Sequence, residues 1–330
     1  MVVEKALEYC RSVLKNVSRS FALTIPMVEK NILVPVLVGY LEARILDTFE
    51  DEKGDKDIDN KKRVDNMKKV MSIIVEPDSL NSKKKIKEVM ESASEFISNP
   101  HYLDLAQNLD KVIAVHREMS SHAKFTISTW FGTMVEGMKK YINKRIDTFD
   151  HLDEYCYYVG GTVGGLLTEL VIRNTRKATR DQIKTLRIES NGFGLFLQKV
   201  NIIRDFRQDI LNNEKIFWPH KIFLEQNVSP KDMLNRKNET KAMIILEQMI
   251  SNSKKHIGSV KNYISAIPED YPGFRNFSIV NFLMGVETIA KIKDNSDVFY
   301  SDTPVKIDKP TAKAIISKPM ERFENMSMKI

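Results

Sequence analysis

Gly192-Phe193-Gly194-Leu195-Phe196-Leu197-Gln198-Lys199-Val200-Asn201-Ile202-Ile203-Arg204-Asp205-Phe206-Arg207-Gln208-Asp209 carries an apolar run directly into an acidic one. A surface helix has no need of so greasy an entry. Asp205 and Asp209 stand four apart and share a helical face, with Asn201 one turn earlier and Gln198 about another turn back on a neighbouring face. The spacing predicts a long helix with one buried and one polar side. Taken alone, an amphipathic helix with ion pairs from Arg204 and Arg207 reads the same way.

The pattern recurs far upstream. Asp47-Thr48-Phe49-Glu50-Asp51 follows the apolar segment Val36–Leu46, and Asp47 and Asp51 again stand four apart with Glu50 beside them. Like charges so close repel, and a helix bears that cost most readily with a cation between the carboxylates. Oxygen-only ligands at this spacing suit Mg²⁺ carried on a phosphate. Facing each other across a helical bundle, two such pairs would hold several Mg²⁺ ions and accept a diphosphate that the carboxylates alone would reject. Ser18-Arg19-Ser20-Phe21, Tyr40 and Arg44 add hydroxyls and guanidinium forks suited to phosphate oxygens.

The rest of the chain agrees with an all-helical protein. Gly 13 and Pro 11 are few for 330 residues, and a 3.6-residue apolar rhythm starts at Leu7, Cys10, Val13 and Leu14 and returns throughout. Charged or breaker-rich joints fall near 51–65, 76–85, 143–150, 174–181, 208–219, 226–241, 267–272 and 293–310. No long linker or repeat interrupts, so one compact α-domain over 1–330 is the simplest reading; Asp294–Pro310 reads as a more β-like ordered loop. Tyr155-Cys156-Tyr157-Tyr158-Val159-Gly160-Gly161-Thr162-Val163-Gly164-Gly165 puts small residues four apart twice, for close helix approach or for the wall of a long apolar ligand.

Composition narrows the function classes. The hydrophobic fraction is 42% and the charged fraction 29%, as in ordinary globular proteins. No segment reads as a membrane span or a secretory leader, which points to the cytoplasm, with peripheral membrane contact left open. Cys10 and Cys156 read as packed thiols, and His116 and His122 as polar helix positions rather than ligands. A net charge of +7 permits anionic partners. The run Lys83, Lys84, Lys85 and Lys87 lacks interleaved aromatics and reads as a solvated helix start, not a nucleic-acid surface.

Ser18–Ala22 (SRSFA), Tyr40–Asp51 (YxxxRxxDTxED), Tyr155–Gly164 (YCxYVxGxVG), Gly194–Asp209 (GLFLQKxNIIRDxxxD) and Phe217–Pro219 (FWP) together resemble the squalene and phytoene synthase family, in that family's order. Asn276-Phe277, Thr288, Val298-Phe299 and Val305-Lys306-Ile307 look closer to the squalene branch. The resemblance implies an isoprenoid synthase helical bundle with a central active-site cavity, acting as a monomer on two farnesyl diphosphates. The product would be presqualene diphosphate and then, with NADPH, squalene. It assigns Mg²⁺–diphosphate to Asp47, Glu50, Asp51, Asp205 and Asp209, and a polar shell to Ser18, Arg19, Ser20, Phe21, Tyr40, Arg44, Gln198, Asn201 and Arg204. Tyr158 would handle a proton or stabilise a cation, and Phe277 would shield the later carbocation. Lys306 and Lys309 would meet NADPH, although Asp308 stands where the family usually has a basic residue. Two alternatives remain: condensation without reduction, to dehydrosqualene or phytoene, and a non-catalytic basic helical binding protein.

Overall fold

The computed structural model describes residues 2–51, 60–213 and 215–327, and among them there is no strand. The fold is all-α. Its contacts group into two compact units, Met1–Asn143 with Leu166–Asn174, and Lys144–Gly165 with Thr175–Ile330.

The first unit contains α1 (Val2–Val17), α2 (Phe21–Thr24), α3 (Lys30–Asp51), α4 (Asn60–Val75), α5 (Leu80–Phe96), α6 (Pro100–Gln107), α7 (Leu109–Glu118) and α8 (Ser121–Tyr141). Helix α3 is its axis, touching α1, α4, α6, α7 and α8. That explains why Ile32, Val36, Leu37, Val38, Leu41, Ile45, Leu46 and Phe49 cover most of its circumference, since a helix wrapped on all sides has no polar face to spare. Helix α1 is amphipathic instead, burying Ala6, Cys10, Val13, Leu14 and Val17 at helical spacing. The N-terminus of α5 is capped by Ser79 Oγ, which accepts from Ser82 N at 3.0 Å. In the lysine run that follows, Lys83 faces Asp78, Lys85 faces Glu76 and Lys87 faces Glu91.

The second unit contains α9 (Phe149–Cys156), α10 (Thr162–Asn174, whose later turns belong to the first unit), α11 (Arg180–Arg204), α12 (Phe206–Gln208), α13 (His220–Glu225), α14 (Glu239–Lys254), α15 (Ile257–Ala266), α16 (Pro272–Ile292), α17 (Asp297–Tyr300), α18 (Lys309–Ser317) and α19 (Pro319–Ser327). Helix α11 is the axis here, against α9, α14, α15, α16 and the wide π turn Tyr157–Gly161. It starts with a reciprocal capping box between Thr179 and Gln182. The glycines of Tyr155–Gly165 serve this packing: a Cβ on Gly194 would lie 2.3 Å from Gly160 O, and one on Gly164 would lie 2.4 Å from Ser190 O. Only bare backbone fits on either side.

The joints near 143–150, 174–181, 226–241 and 267–272 bracket gaps between helices, 76–85 runs on into α5, residues 52–59 of the first joint and 214 of 208–219 lie outside the described residues, and one reading is corrected. Asp294–Pro310 is not β-like: α17 occupies Asp297–Tyr300, and the irregular stretch after it ends where Asp308 caps α18. Cys10 and Cys156 are free and buried. Burial pushes the Cys10 thiol up to about 12 and the Cys156 thiol higher still, so both are inert packing groups. His116 lies on α7 and is 2% exposed, with Nδ1 2.8 Å from Oε1 of buried Glu42 on α3. Among the described residues no helix is long and apolar enough to cross a membrane.

Candidate active site

In the first unit the last described turns of α3 present Asp47, Glu50 and Asp51 together. One carboxylate oxygen from each lies within 4.8 Å of the others. Glu50 is buried, while Asp47 and Asp51 are half-buried. The intervening residues hold this face in register: Thr48 Oγ1 donates back to Arg44 O at 2.7 Å, and the Phe49 ring packs edge-on against Phe96 at 5.9 Å. Three hard oxygen donors converging at this range fit a small divalent cation such as Mg²⁺.

One turn before the acids, Arg44 Nη1 donates to Asp47 Oδ2 at 2.6 Å, and Nη2 donates to Tyr40 Oη at 3.3 Å. The guanidinium also lies over the Tyr102 ring of α6, 5.6 Å from its centroid. Burial alone would lower the Arg44 pKa, but Tyr40, Asp47 and Tyr102 outweigh it and hold the group above its ordinary value. Arg44 is therefore a fixed cation. Tyr40 Oη donates to Val17 O at 3.2 Å, and its ring meets Phe21 at 5.1 Å. Ser18 Oγ accepts from Phe21 N at 3.0 Å, which shapes the turn that leaves Arg19 and Ser20 exposed. Ser18–Phe21, Tyr40, Arg44 and the acid triad thus form one connected patch. Tyr102 belongs to it and was missed, because nothing local in α6 marks it.

In the second unit the long polar face read from sequence is interrupted. Helix α11 ends at Arg204, and Asp205 sits at φ −95°, ψ 5°, outside helical geometry. One short turn of α-helix follows, and Asp209 opens a π turn, Asp209–Asn213. The physical reason is Phe206, which turns inward to pack on Trp218 at 4.2 Å and Phe299 at 5.6 Å. Trp218 is 1% exposed and donates from Nε1 to Ile202 O at 3.1 Å. The acids nevertheless stay one turn apart, since Asp209 N donates to Asp205 O at 2.9 Å. Arg204 grips Asp205 with both Nε (2.7 Å to Oδ1) and Nη2. Arg207 turns away, donating to Phe299 O and Asp302 Oδ1.

Gln198 and Asn201 lie on an accessible stripe of α11 that leads to Asp205 at its C-cap, with Asn201 exposed. Tyr158 lies in the π turn, its ring 5.4 Å from Tyr157. Phe277 on α16 is 2% exposed and stacks on Phe274 at 5.7 Å, the inner end of a column through Tyr263 and Phe193. Lys306 and Lys309 are exposed on either side of Asp308. Asp308 Oδ1 accepts from Thr311 N at 2.7 Å and Oδ2 from Lys291 Nζ at 3.2 Å, and these bonds hold its carboxyl down to about 2.

The model of the squalene/phytoene synthase family matches residues 14–311, which include every motif described above. The chain belongs to the squalene/phytoene synthase family. It is 30% identical over 294 residues to squalene synthase of Nicotiana benthamiana, a match covering 88% of this chain and 66% of that protein. It is 29% identical over 293 residues to squalene synthase 1 of Arabidopsis thaliana, again spanning 66% of the relative's length. Among solved structures it resembles TcSQS in complex with the ligand BPH1237, with TM-score 0.81, 26% identity and coverage of 96% of this chain and 86% of that one. A dehydrosqualene synthase has TM-score 0.66 at 17% identity, covering 98% of each chain, and shares the fold. Both acid motifs, Asp47–Asp51 and Asp205–Asp209, lie within the residues that match the family.

Proposed function

We propose that this protein condenses two farnesyl diphosphates head to head, through presqualene diphosphate, and that squalene is its product. What carries the reading is the convergence of Asp47, Glu50 and Asp51 on one point of α3, inside a family match that also includes the Asp205 motif. In this reading Asp47, Glu50, Asp51, Asp205 and Asp209 hold Mg²⁺, which supplies the charge that turns diphosphate into a leaving group. Arg44, Tyr40, Ser18, Arg19, Ser20 and Phe21 form the diphosphate shell of the first unit, and Gln198, Asn201 and Arg204 that of the second. Both leading aspartates start in arginine pairs, so neither motif presents a bare cluster of negative charge. Tyr158 accepts or returns a proton or faces a cation, and Phe277 keeps water from the carbocation.

The reductive step turns on the segment around Asp308. A phosphate group seeks the free N–H groups of a helix start, but at α18 that place is taken by Asp308 itself. A phosphate brought to Lys306 and Lys309 would also meet the Asp308 carboxylate that stands between them. Asp308 favours a second reading, condensation that stops short of reduction, with dehydrosqualene as product. Purified protein given farnesyl diphosphate and Mg²⁺, with and without NADPH, separates the two by product mass. Squalene that appears only with NADPH supports the first reading, and the same desaturated product in both arms supports the second. Absence of any condensed hydrocarbon would refute both.

A further inference from the structure

The proposed reaction leaves a buried charge on α11 unused. Lys199 on α11 is 0% exposed. Its Nζ donates to Asn252 Oδ1 at 2.5 Å and to His256 Nε2 at 2.7 Å, and lies 2.5 Å from Asp153 Oδ1. Two hydrogen-bond acceptors and an ion-pairing carboxylate thus reach the ammonium from three segments: the turn before α15, α14 and α9. Burial, with Lys199 itself, lowers the His256 pKa to about 4, so the ring is neutral and Nε2 is free to accept. The other groups facing this cluster are the protonated Cys156 thiol of α9 and the Lys255 ammonium beside His256.

Lys199 is the residue after Gln198. A helix advances about 100° per residue, so Lys199 points well away from the stripe of Gln198, Asn201 and Asp205 yet turns with it as one rigid rod. On another side the rod is held by the π turn, where a Cβ on Gly160 would lie 3.0 Å from Gln198 Cβ and 2.7 Å from Gly194 O. Shape complementarity of this kind limits how closely the helix approaches. Two hydrogen bonds and an ion pair, drawn from three segments, limit how far it rotates.

We propose that Lys199 is a positioning residue: its two hydrogen bonds and its ion pair with Asp153 fix the rotation of α11 and so aim Gln198, Asn201 and Asp205 at the metal-bound diphosphate. This rests on the function proposed above. The test is calorimetric titration of Mg²⁺ and inorganic pyrophosphate into wild type, Lys199→Met, Asp153→Asn and Asp205→Asn, each first shown to be folded by circular dichroism. Lys199→Met is expected to weaken pyrophosphate binding about tenfold or more, and Asp153→Asn about threefold, because small misplacements of binding groups are costly. A lysine that served stability alone would lower the melting temperature and leave affinity in the folded variants at the wild-type value; that outcome overturns the proposal. Should Lys199→Met not fold, Asp153→Asn decides, since it keeps the two neutral acceptors and wild-type affinity in it is equally fatal. If wild type itself fails to bind, or Asp205→Asn binds as wild type does, the parent reading falls as well.

Discussion

The two axial helices solve one problem in opposite ways. Helix α3 buries an acid, Glu42, against a single partner, His116, and neither side chain has a further hydrogen-bond partner among the described residues. Helix α11 buries a base, Lys199, among Asp153, Asn252 and His256. Each charge lies on a helix that ends in an acid motif, yet one is held by a single contact and the other by three. The acid motifs differ in parallel: Asp47, Glu50 and Asp51 stay on a regular helix, whereas Asp205 and Asp209 leave theirs. Regular geometry suffices where ligands three and four apart already converge. Where the backbone departs from the helix, more must hold it from behind.

The largest expected effects test whether the acid motifs are equivalent. Asp47→Asn and Asp205→Asn should each lower turnover of farnesyl diphosphate by about a hundredfold or more, with the helical circular dichroism signal retained. A severe loss in one and near-normal turnover in the other would break the symmetry. Chelation of divalent ions should abolish the activity of wild type, and added Mg²⁺ should restore it.

Next comes the two-member pair. His116→Leu strands a buried carboxylate and should cost about 3 to 5 kcal/mol in urea unfolding, whereas Glu42→Leu with His116→Leu should recover most of that loss. A double variant as unstable as the single one would show that the pair does more than neutralise itself.

Packing around the two axes gives a third contrast. Gly194→Ala drives a Cβ to 2.3 Å from a backbone oxygen and should cost about 3 kcal/mol. Gly39→Ala on α3 meets only side chains, Leu166 at 3.4 Å and Ile127 at 3.7 Å, and should stay within about 1 kcal/mol of wild type. Thermal melts of the two variants rank them directly.

The smallest effect depends on pH. The His256 pKa is held down from 6.5 to about 4, so the unfolded chain takes up the proton first. Its contribution is fully present above pH 6.5 and drains away as pH falls towards 4, by about 2 kcal/mol once partial solvent screening is allowed for. His256→Gln should therefore lose less melting temperature than wild type between pH 7 and pH 4. Equal losses would mean that other groups govern the acid limb.

Sequence disclosed whatever is local. Asp47, Glu50 and Asp51 converge because positions three and four apart meet on any helix, and the joints were visible because Pro, Gly and charge clusters interrupt an apolar rhythm. The break at Asp205 was hidden, since it depends on Phe206 finding Trp218 and Phe299 from distant parts of the chain. Glu42 lies unmarked inside the apolar segment Val36–Leu46, and Lys199 lies unmarked between Gln198 and Asn201. Their partners, His116, Asp153, Asn252 and His256, are brought to them only by tertiary packing. The glycines of Tyr155–Gly165 were legible as small, but only the structure shows that Gly160 and Gly164 meet Gly194 and Ser190.

The chain has 2 tryptophans, and their placement makes it self-reporting. Trp218 is sealed from water with its indole N–H on the Ile202 carbonyl, three residues before Asp205, while Trp130 lies half-buried on α8 of the other unit. With Trp130→Phe, a single emitter would remain at the foot of the second acid motif, and its emission should shift to the red whenever that turn loosens and admits solvent. Stopped-flow optics could then follow this segment in real time on native protein, without a label or a substrate analogue.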